Sequence, residues 1–199
     1  AINGFGRIGR TFLRSILLKK DISVVAINDL ADTRTLAHLF KYDSVHGGFN
    51  GTVGFDEHNL IINGQTIKVF AEKDPARLPW AMLDIDLVVE ATGKFTSRAG
   101  ATLHLSAGAR QVIISAPASD KDVPTTVLGV NDNDTYLAAP VISNASCTTN
   151  NVAALIKILN DNWGIVDGYI TTVHSMTGDQ NLHDAPHKDL RRARAASAS

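Results

Sequence analysis

A doubly wound α/β fold is expected for this 199-residue chain. Three observations point to it. Short β-branched runs alternate with helical patterns, a glycine-rich turn opens the first helix, and the runs are near-continuously apolar. Parallel strands covered on both faces have that last property, and alternating strands and helices imply right-handed crossovers.

Taken in order, "ISVVAIN" (22–28), "DLVVEAT" (86–92) and "QVIIS" (111–115) read as buried strands. Arg10–Lys20, Thr33–Tyr42 and Ser97–Ala107 read as the helices between them. "NLIINGQTIKV" alternates around Asn63-Gly64, a strong hairpin signal, and is expected to be an antiparallel excursion from the parallel sheet. After Cys147 the pattern changes. Val152, Leu155, Ile156, Leu159 and Trp163 share one helical face, Gly164 ends that helix, and "GYITTVHS" follows as a strand. A first domain over 1–146 and an incomplete second one over 147–199 are therefore expected.

Composition narrows the function. Nineteen Lys and Arg balance twenty Asp and Glu, so no overall charge draws the chain to nucleic acid or an acidic membrane. No second basic patch or interleaved aromatics suggests nucleic acid either. The apolar runs are far shorter than a membrane span, and one cysteine makes no internal disulfide. These features describe a soluble, cytoplasmic protein. The chain opens "AINGFGRIGR", with almost no room for a strand before the first glycine, and stops at "RRARAASAS" with no obvious final element, so a fragment is expected.

The turn "GFGRIG" matches G-x-G-x-x-G. Gly4 permits a tight turn, Gly6 lets the backbone approach a pyrophosphate, and Gly9 allows close helix packing. The following helix offers its N-terminal N–H groups to phosphates. Asp29 lies twenty residues after Gly9, at the end of the next strand. A carboxylate there can accept from ribose hydroxyls and repels a 2′-phosphate, which favours NAD over NADP. A helix N-terminal carboxylate is the plainer alternative for Asp29.

The only cysteine, Cys147, lies in "SNASCTTNN" at the mouth of a helix. Most lone cysteines are inert and buried, but its polar neighbours argue against a core position. A helix N-terminus lowers a thiol's pKa and makes a nucleophile. His174, in "TTVHS", is the candidate proton partner among seven histidines. His38 and His104 in helical patterns, and His46 and His58 in loops, read as ordinary packed or solvated residues. His183 and His187 lack metal-site spacing, so no metal is expected. The run Lys188, Arg191, Arg192 and Arg194 reads as a solvated basic face, with an anion site as its rival.

Together "INGFGRIGR", "NDL", "HLFKYDSVHG", "EATGKF", "VIISAP", "GVN", "SNASCTTN", "TTVHS" and "PHKDLRRARAA" resemble, in order, phosphorylating glyceraldehyde-3-phosphate dehydrogenases of bacterial type. The resemblance implies a Rossmann-type NAD-binding domain followed by the start of an α+β catalytic domain. It implies Cys147 as acylating nucleophile and His174 as base and later acid. Cofactor contacts are implied at Gly4, Gly6, Arg7, Ile8, Gly9, Asp29, Thr92, Gly93 and Ser115. Ser146, Thr148 and Arg192 are implied at the attacking-phosphate site, and Thr177 at the substrate-phosphate site. The substrates would be glyceraldehyde 3-phosphate and inorganic phosphate, and the assembly a homotetramer, with the segment from Ser175 to Ser197 at an interface. Asn151 stands where many members carry a second cysteine, and Ala185 replaces a commoner leucine. Erythrose-4-phosphate dehydrogenase, and a non-catalytic NAD- or partner-binding protein on the same fold, are the alternatives. The chain alone is expected to be inactive.

Overall fold

The computed structural model describes residues 1–132 and 138–197. Ala1–Asp161 and Asn162–Ser199 form two compact units.

The first unit is built on an eight-stranded sheet in the order β3-β4-β5-β2-β1-β6-β7-β8. The strands are β1 (Ile2–Asn3), β2 (Ala26–Asn28), β3 (Val53–Phe55), β4 (Asn59–Ile62), β5 (Gln65–Phe70), β6 (Leu87–Glu90), β7 (Gln111–Ile114) and β8 (Val141–Ser143). All pairings from β5 through β8 are parallel, whereas β3 and β4 are antiparallel additions. The helices are α1 (Arg7–Ile16), α2 (Thr33–Lys41), α3 (Arg98–Ser106) and α4 (Cys147–Trp163). Strand order reverses at β1, with β2 on one side and β6 on the other. Such a switch point leaves a crevice beyond the strands' carboxyl ends.

Local chemistry explains the elements. Asn63 and Gly64 both take positive φ (50° and 82°), the two-residue turn that closes β4 onto β5. Asp32 caps α2 by accepting the Thr35 N–H at 2.9 Å, and Ser97 caps α3 by accepting the Gly100 N–H at 3.0 Å. One apolar cluster joins Ile2, Leu13, Ile27 and Phe40 with Leu60 and Ile67. A second joins Trp80, Val88, Ala101, Val112, Ile114 and Val141. The sheet is thus clad by helices as the sequence pattern required.

Three expectations need correction. Helix α1 starts at Arg7 and ends at Ile16, rather than spanning Arg10–Lys20. Its first turn is set by the glycine loop, not by an apolar stripe, so periodicity misses it. Strand β2 covers only Ala26–Asn28, because pairing with β1 and β5 begins there. Finally, "GYITTVHS" (168–175) is not a strand. Val173 and Tyr169 are fully solvent-exposed, and among the described residues no strand pairs with this segment. Alternation alone does not make a strand without a ladder partner.

Helix α4 runs for 17 residues without burying any of them. Leu155, Ile156, Leu159 and Trp163 of the expected apolar face are all exposed. Gly164, with φ 72°, ends the helix as expected. The second unit is held by turns and polar contacts, including Ala185 N–H to Ala193 O at 3.0 Å and Ala196 N–H to Asn181 O at 2.9 Å.

Candidate active site

The glycine loop joins β1 to α1 at the switch point. Gly4 has φ +91°, and a Cβ there would stand 2.7 Å from the Thr92 nitrogen. A Cβ on Gly9 would stand 2.2 Å from the Gly4 carbonyl oxygen, so α1 can approach β1 only with glycine at that position. Gly6 faces open space, leaving room for a ligand against the backbone.

A cavity of about 470 Å³ opens beyond this loop, lined by Gly4, Gly6, Asp29, Thr92, Lys94 and Phe95 among others. Asp29 is fixed on its rim. Its Oδ2 accepts the Phe5 N–H at 2.7 Å and its Oδ1 accepts the Ala31 N–H at 3.0 Å. Each oxygen keeps a second acceptor site for a hydroxyl. These features fit an adenosine diphosphate moiety: open glycine backbone and a helix N-terminus for phosphates, and an anchored carboxylate for a ribose.

A second cavity, of about 320 Å³, is lined by Ile8, Phe12, Val89, Ser115, Ile142 and Asn144 among others. Ile8 and Ser115 therefore belong to a different recess from Asp29 and Thr92. Arg7, Gly9 and Gly93 line neither cavity.

Asn144 leads into the turn that carries the thiol. Ala145 is buried with φ 57°, a left-handed conformation that costs an alanine about 1 kcal/mol. That turn swings the chain from β8 directly into α4. Ser146 caps the helix, its Oγ accepting the Thr149 N–H at 2.9 Å. Cys147 is then the first residue of α4 and is exposed. Thr148 lies beside it, half-buried. The helix-mouth position expected from sequence is therefore observed, with a capped helix N-terminus behind the sulfur.

His174, Thr177 and Arg192 lie in the second unit, and Cys147 lies in the first. The His174 ring Nδ1 is 2.6 Å from the Ser175 carbonyl oxygen. Thr177 donates its hydroxyl to Asp179, and Arg192 forms a charge-assisted bond to the same carboxylate. Thr177 and Arg192 thus share one anion, an arrangement the sequence did not indicate. Among the described residues no group of three or more His, Cys, Asp or Glu could hold a metal. No helix among them is long and apolar enough to cross a membrane.

Residues 1–98 match a family model described as the glyceraldehyde 3-phosphate dehydrogenase NAD binding domain, and residues 146–199 match that family's C-terminal domain. The chain belongs to the glyceraldehyde-3-phosphate dehydrogenase family. It is 57% identical over 201 residues to a glyceraldehyde-3-phosphate dehydrogenase of Thermotoga maritima, covering 100% of this chain and 60% of that protein. Identity to one from Priestia megaterium is 58% over 198 residues, covering 98% of this chain and 58% of the relative. For one from Geobacillus stearothermophilus it is 57% over 200 residues, covering 100% and 59%. The chain thus spans about 60% of the length of these curated relatives. The first unit contains the family's NAD-binding domain, and NAD is the cofactor it is built for.

Sequence reasoning missed several residues of the site. Asn3, Asn28 and Glu72 line the larger cavity, and buried Glu90 bonds the Thr92 N–H at 2.8 Å. Asn3, Asn28 and Glu90 lie within the quoted motifs, but nothing in their spacing showed that they meet.

Proposed function

We propose that this chain carries the cofactor site and the nucleophile of an NAD-dependent, phosphorylating glyceraldehyde-3-phosphate dehydrogenase. The observation that carries the reading is Cys147 as first residue of a Ser146-capped helix, a few residues from the Ile8–Ser115–Asn144 cavity. The larger cavity would hold the adenosine half of NAD, with Asp29 taking the ribose and the Gly6, Arg7 and Ile8 backbone and the α1 terminus taking the phosphates. Thr92 and Gly93 flank it, with Gly4 and Gly9 shaping the loop. Ile8 and Ser115, which line the recess that Asn144 also lines, would hold the nicotinamide end. The domains divide at 146/147, a boundary supported by the C-terminal family match from residue 146.

In the reaction, the Cys147 thiolate adds to the aldehyde carbon of glyceraldehyde 3-phosphate, and the carbonyl oxygen becomes an oxyanion. The Cys147 N–H and His174 hold that oxyanion. NAD held by the glycine loop and Asp29 would supply the hydride acceptor for that carbon, and Cys147 then carries the acyl group as a thioester. A phosphate oxygen then attacks the thioester carbonyl, the carbon–sulfur bond breaks, and the acyl phosphate leaves with the thiolate restored. His174 accepts the thiol proton at the outset and acts later as acid. Ser146, Thr148 and Arg192 hold the attacking phosphate, and Thr177 the substrate phosphate. The working assembly is a cytoplasmic homotetramer.

The test is NADH formation by a longer protein that carries this sequence and the remaining family length, with phosphate present or omitted and Cys147→Ser as blank. Phosphate-dependent turnover lost in the variant supports the reading. Turnover indifferent to phosphate points to the free-acid chemistry of an erythrose-4-phosphate dehydrogenase. NAD binding without turnover points to a binding protein. The 199-residue chain by itself is expected to bind NAD without turning over.

A further inference from the structure

A chain of buried polar groups leads to the larger cavity from Trp80 and His104, which do not line it. The Trp80 indole N–H donates to His104 Nδ1 at 3.0 Å. An indole nitrogen can only donate, so Nδ1 is an acceptor and the ring hydrogen is on Nε2. His104 Nε2 stands 3.1 Å from Glu90 Oε2 and therefore donates to it. The Asn3 amide nitrogen donates to the same oxygen at 2.5 Å. Glu90 Oε1 accepts the Thr92 N–H at 2.8 Å and also the Thr92 hydroxyl. The side chains of Glu90 and His104 are wholly buried.

Four donors thus converge on one carboxylate, two on each oxygen, and none of them is a cation. A glutamine of the same shape would turn two N–H groups toward two of those donors. An acceptor-only side chain is required, which explains a buried glutamate without a basic partner.

The network ends on three walls of the cavity. The Thr92 hydroxyl, oriented by Glu90, accepts the Lys94 N–H at 3.0 Å and so shapes the turn after β6. Asn3 Oδ1 accepts from the Asn28 amide at 2.7 Å. Asn28 in turn clamps Glu72, donating to its carbonyl at 2.9 Å and accepting its N–H at 2.8 Å. Thr92, Lys94, Asn28 and Glu72 all line the cavity.

Resting on the reading of this cavity as the adenosine site of NAD, we propose that Glu90, oriented by His104 and Trp80, is a positioning residue that presets the cofactor cavity through Thr92 and Asn3. It touches no cofactor atom itself. Its replacement lowers NAD affinity because the Thr92–Lys94 turn and the Glu72 wall are no longer held in one arrangement.

The experiment is a double-mutant cycle on NAD binding by the 199-residue chain, read by calorimetry well below each variant's unfolding temperature. Glu90→Gln and Thr92→Val should each weaken NAD by about tenfold, the order expected for a stranded buried donor. The double variant should be no weaker than the worse single one, since both break the same link. Trp80→Phe keeps an aromatic side chain but removes the N–H that orients His104. It should weaken NAD by a smaller factor, and it serves as the decisive variant should Glu90→Gln not fold. Unchanged NAD affinity in folded Glu90→Gln, or in Trp80→Phe where that is the decisive variant, would overturn the proposal. So would strictly additive losses in the cycle. Absence of NAD binding by the unaltered chain would overturn the cofactor reading, and this inference with it.

Discussion

The Asp29 carboxylate and the Phe5 backbone N–H are joined at 2.7 Å, tying the end of β2 to the glycine loop. The residue expected to meet the ribose also fixes the loop expected to meet the pyrophosphate, so specificity and loop geometry share one side chain. Asp29→Asn can still present one oxygen to Phe5 but loses the charge. We expect NAD affinity to fall and the preference over NADP to shrink, with a modest loss of thermal stability because the Ala31 N–H then faces the amide nitrogen. Asp29→Ala should lower the unfolding temperature further, because the Phe5 and Ala31 N–H groups both lose their acceptor. Titrating both cofactors against both variants checks the separation. Equal NAD/NADP preference in wild type and Asp29→Asn would remove the charge argument.

The turn before Cys147 gives a second expectation. Ala145 is a buried non-glycine residue at φ 57°. Ala145→Gly relieves the left-handed strain but loosens the unfolded chain, so the two effects offset to within about 1 kcal/mol. Ala145→Val adds a β-branched side chain where neither φ nor the packing admits one, and should cost about 2 kcal/mol or more. Chemical denaturation of both variants measures this. A valine variant as stable as the glycine one would mean that the turn is not held as described.

The thiol itself can be tested without turnover. Cys147 sits at the first position of α4, and the Ser146 cap holds that terminus in place. The pH profile of its alkylation rate should have its midpoint below the ordinary thiol value of about 8.5, because a helix N-terminus favours the thiolate. Ser146→Ala frays the first turn and should move the midpoint back upward. An unperturbed midpoint in the unaltered chain would favour the binding-protein alternative.

Local signals were legible in the sequence and non-local ones were not. The Asn63-Gly64 hairpin was readable because two adjacent residues with positive φ decide it. The Gly9 packing role was readable because a helix against a strand end admits no Cβ there. The strand expected at 168–175 failed because its existence depends on a partner that alternation cannot reveal. His104 was read as an ordinary packed histidine, and its burial bears that out. Its place in the chain from Trp80 to Glu90 could not be seen, because those residues come from separate segments that only the folded sheet brings together.

Asp179 offers a further prediction. Its carboxylate accepts the Thr177 hydroxyl and pairs with Arg192, the two side chains proposed to hold phosphate groups. The carboxyl lies below its ordinary value, chiefly through the Thr177 hydrogen bond and to a lesser degree through the Arg192 charge. A depressed carboxyl stays ionised at neutral pH, and its contribution is lost only as pH falls through the lowered value. Over the neutral range Asp179 is therefore a resident anion that an incoming phosphate must displace from Arg192. Asp179→Asn removes that competitor while keeping an acceptor for Thr177. Phosphate titration followed by NMR of the Thr177 and Arg192 signals should show tighter binding in the variant than in the unaltered chain near neutral pH. Both proteins bind more weakly at high ionic strength, because the site is exposed and screened. Acidification should bring the unaltered chain toward the variant only as pH falls through the lowered Asp179 value. Weaker phosphate binding in Asp179→Asn would mean that the carboxylate organises Arg192 for the anion instead of competing with it.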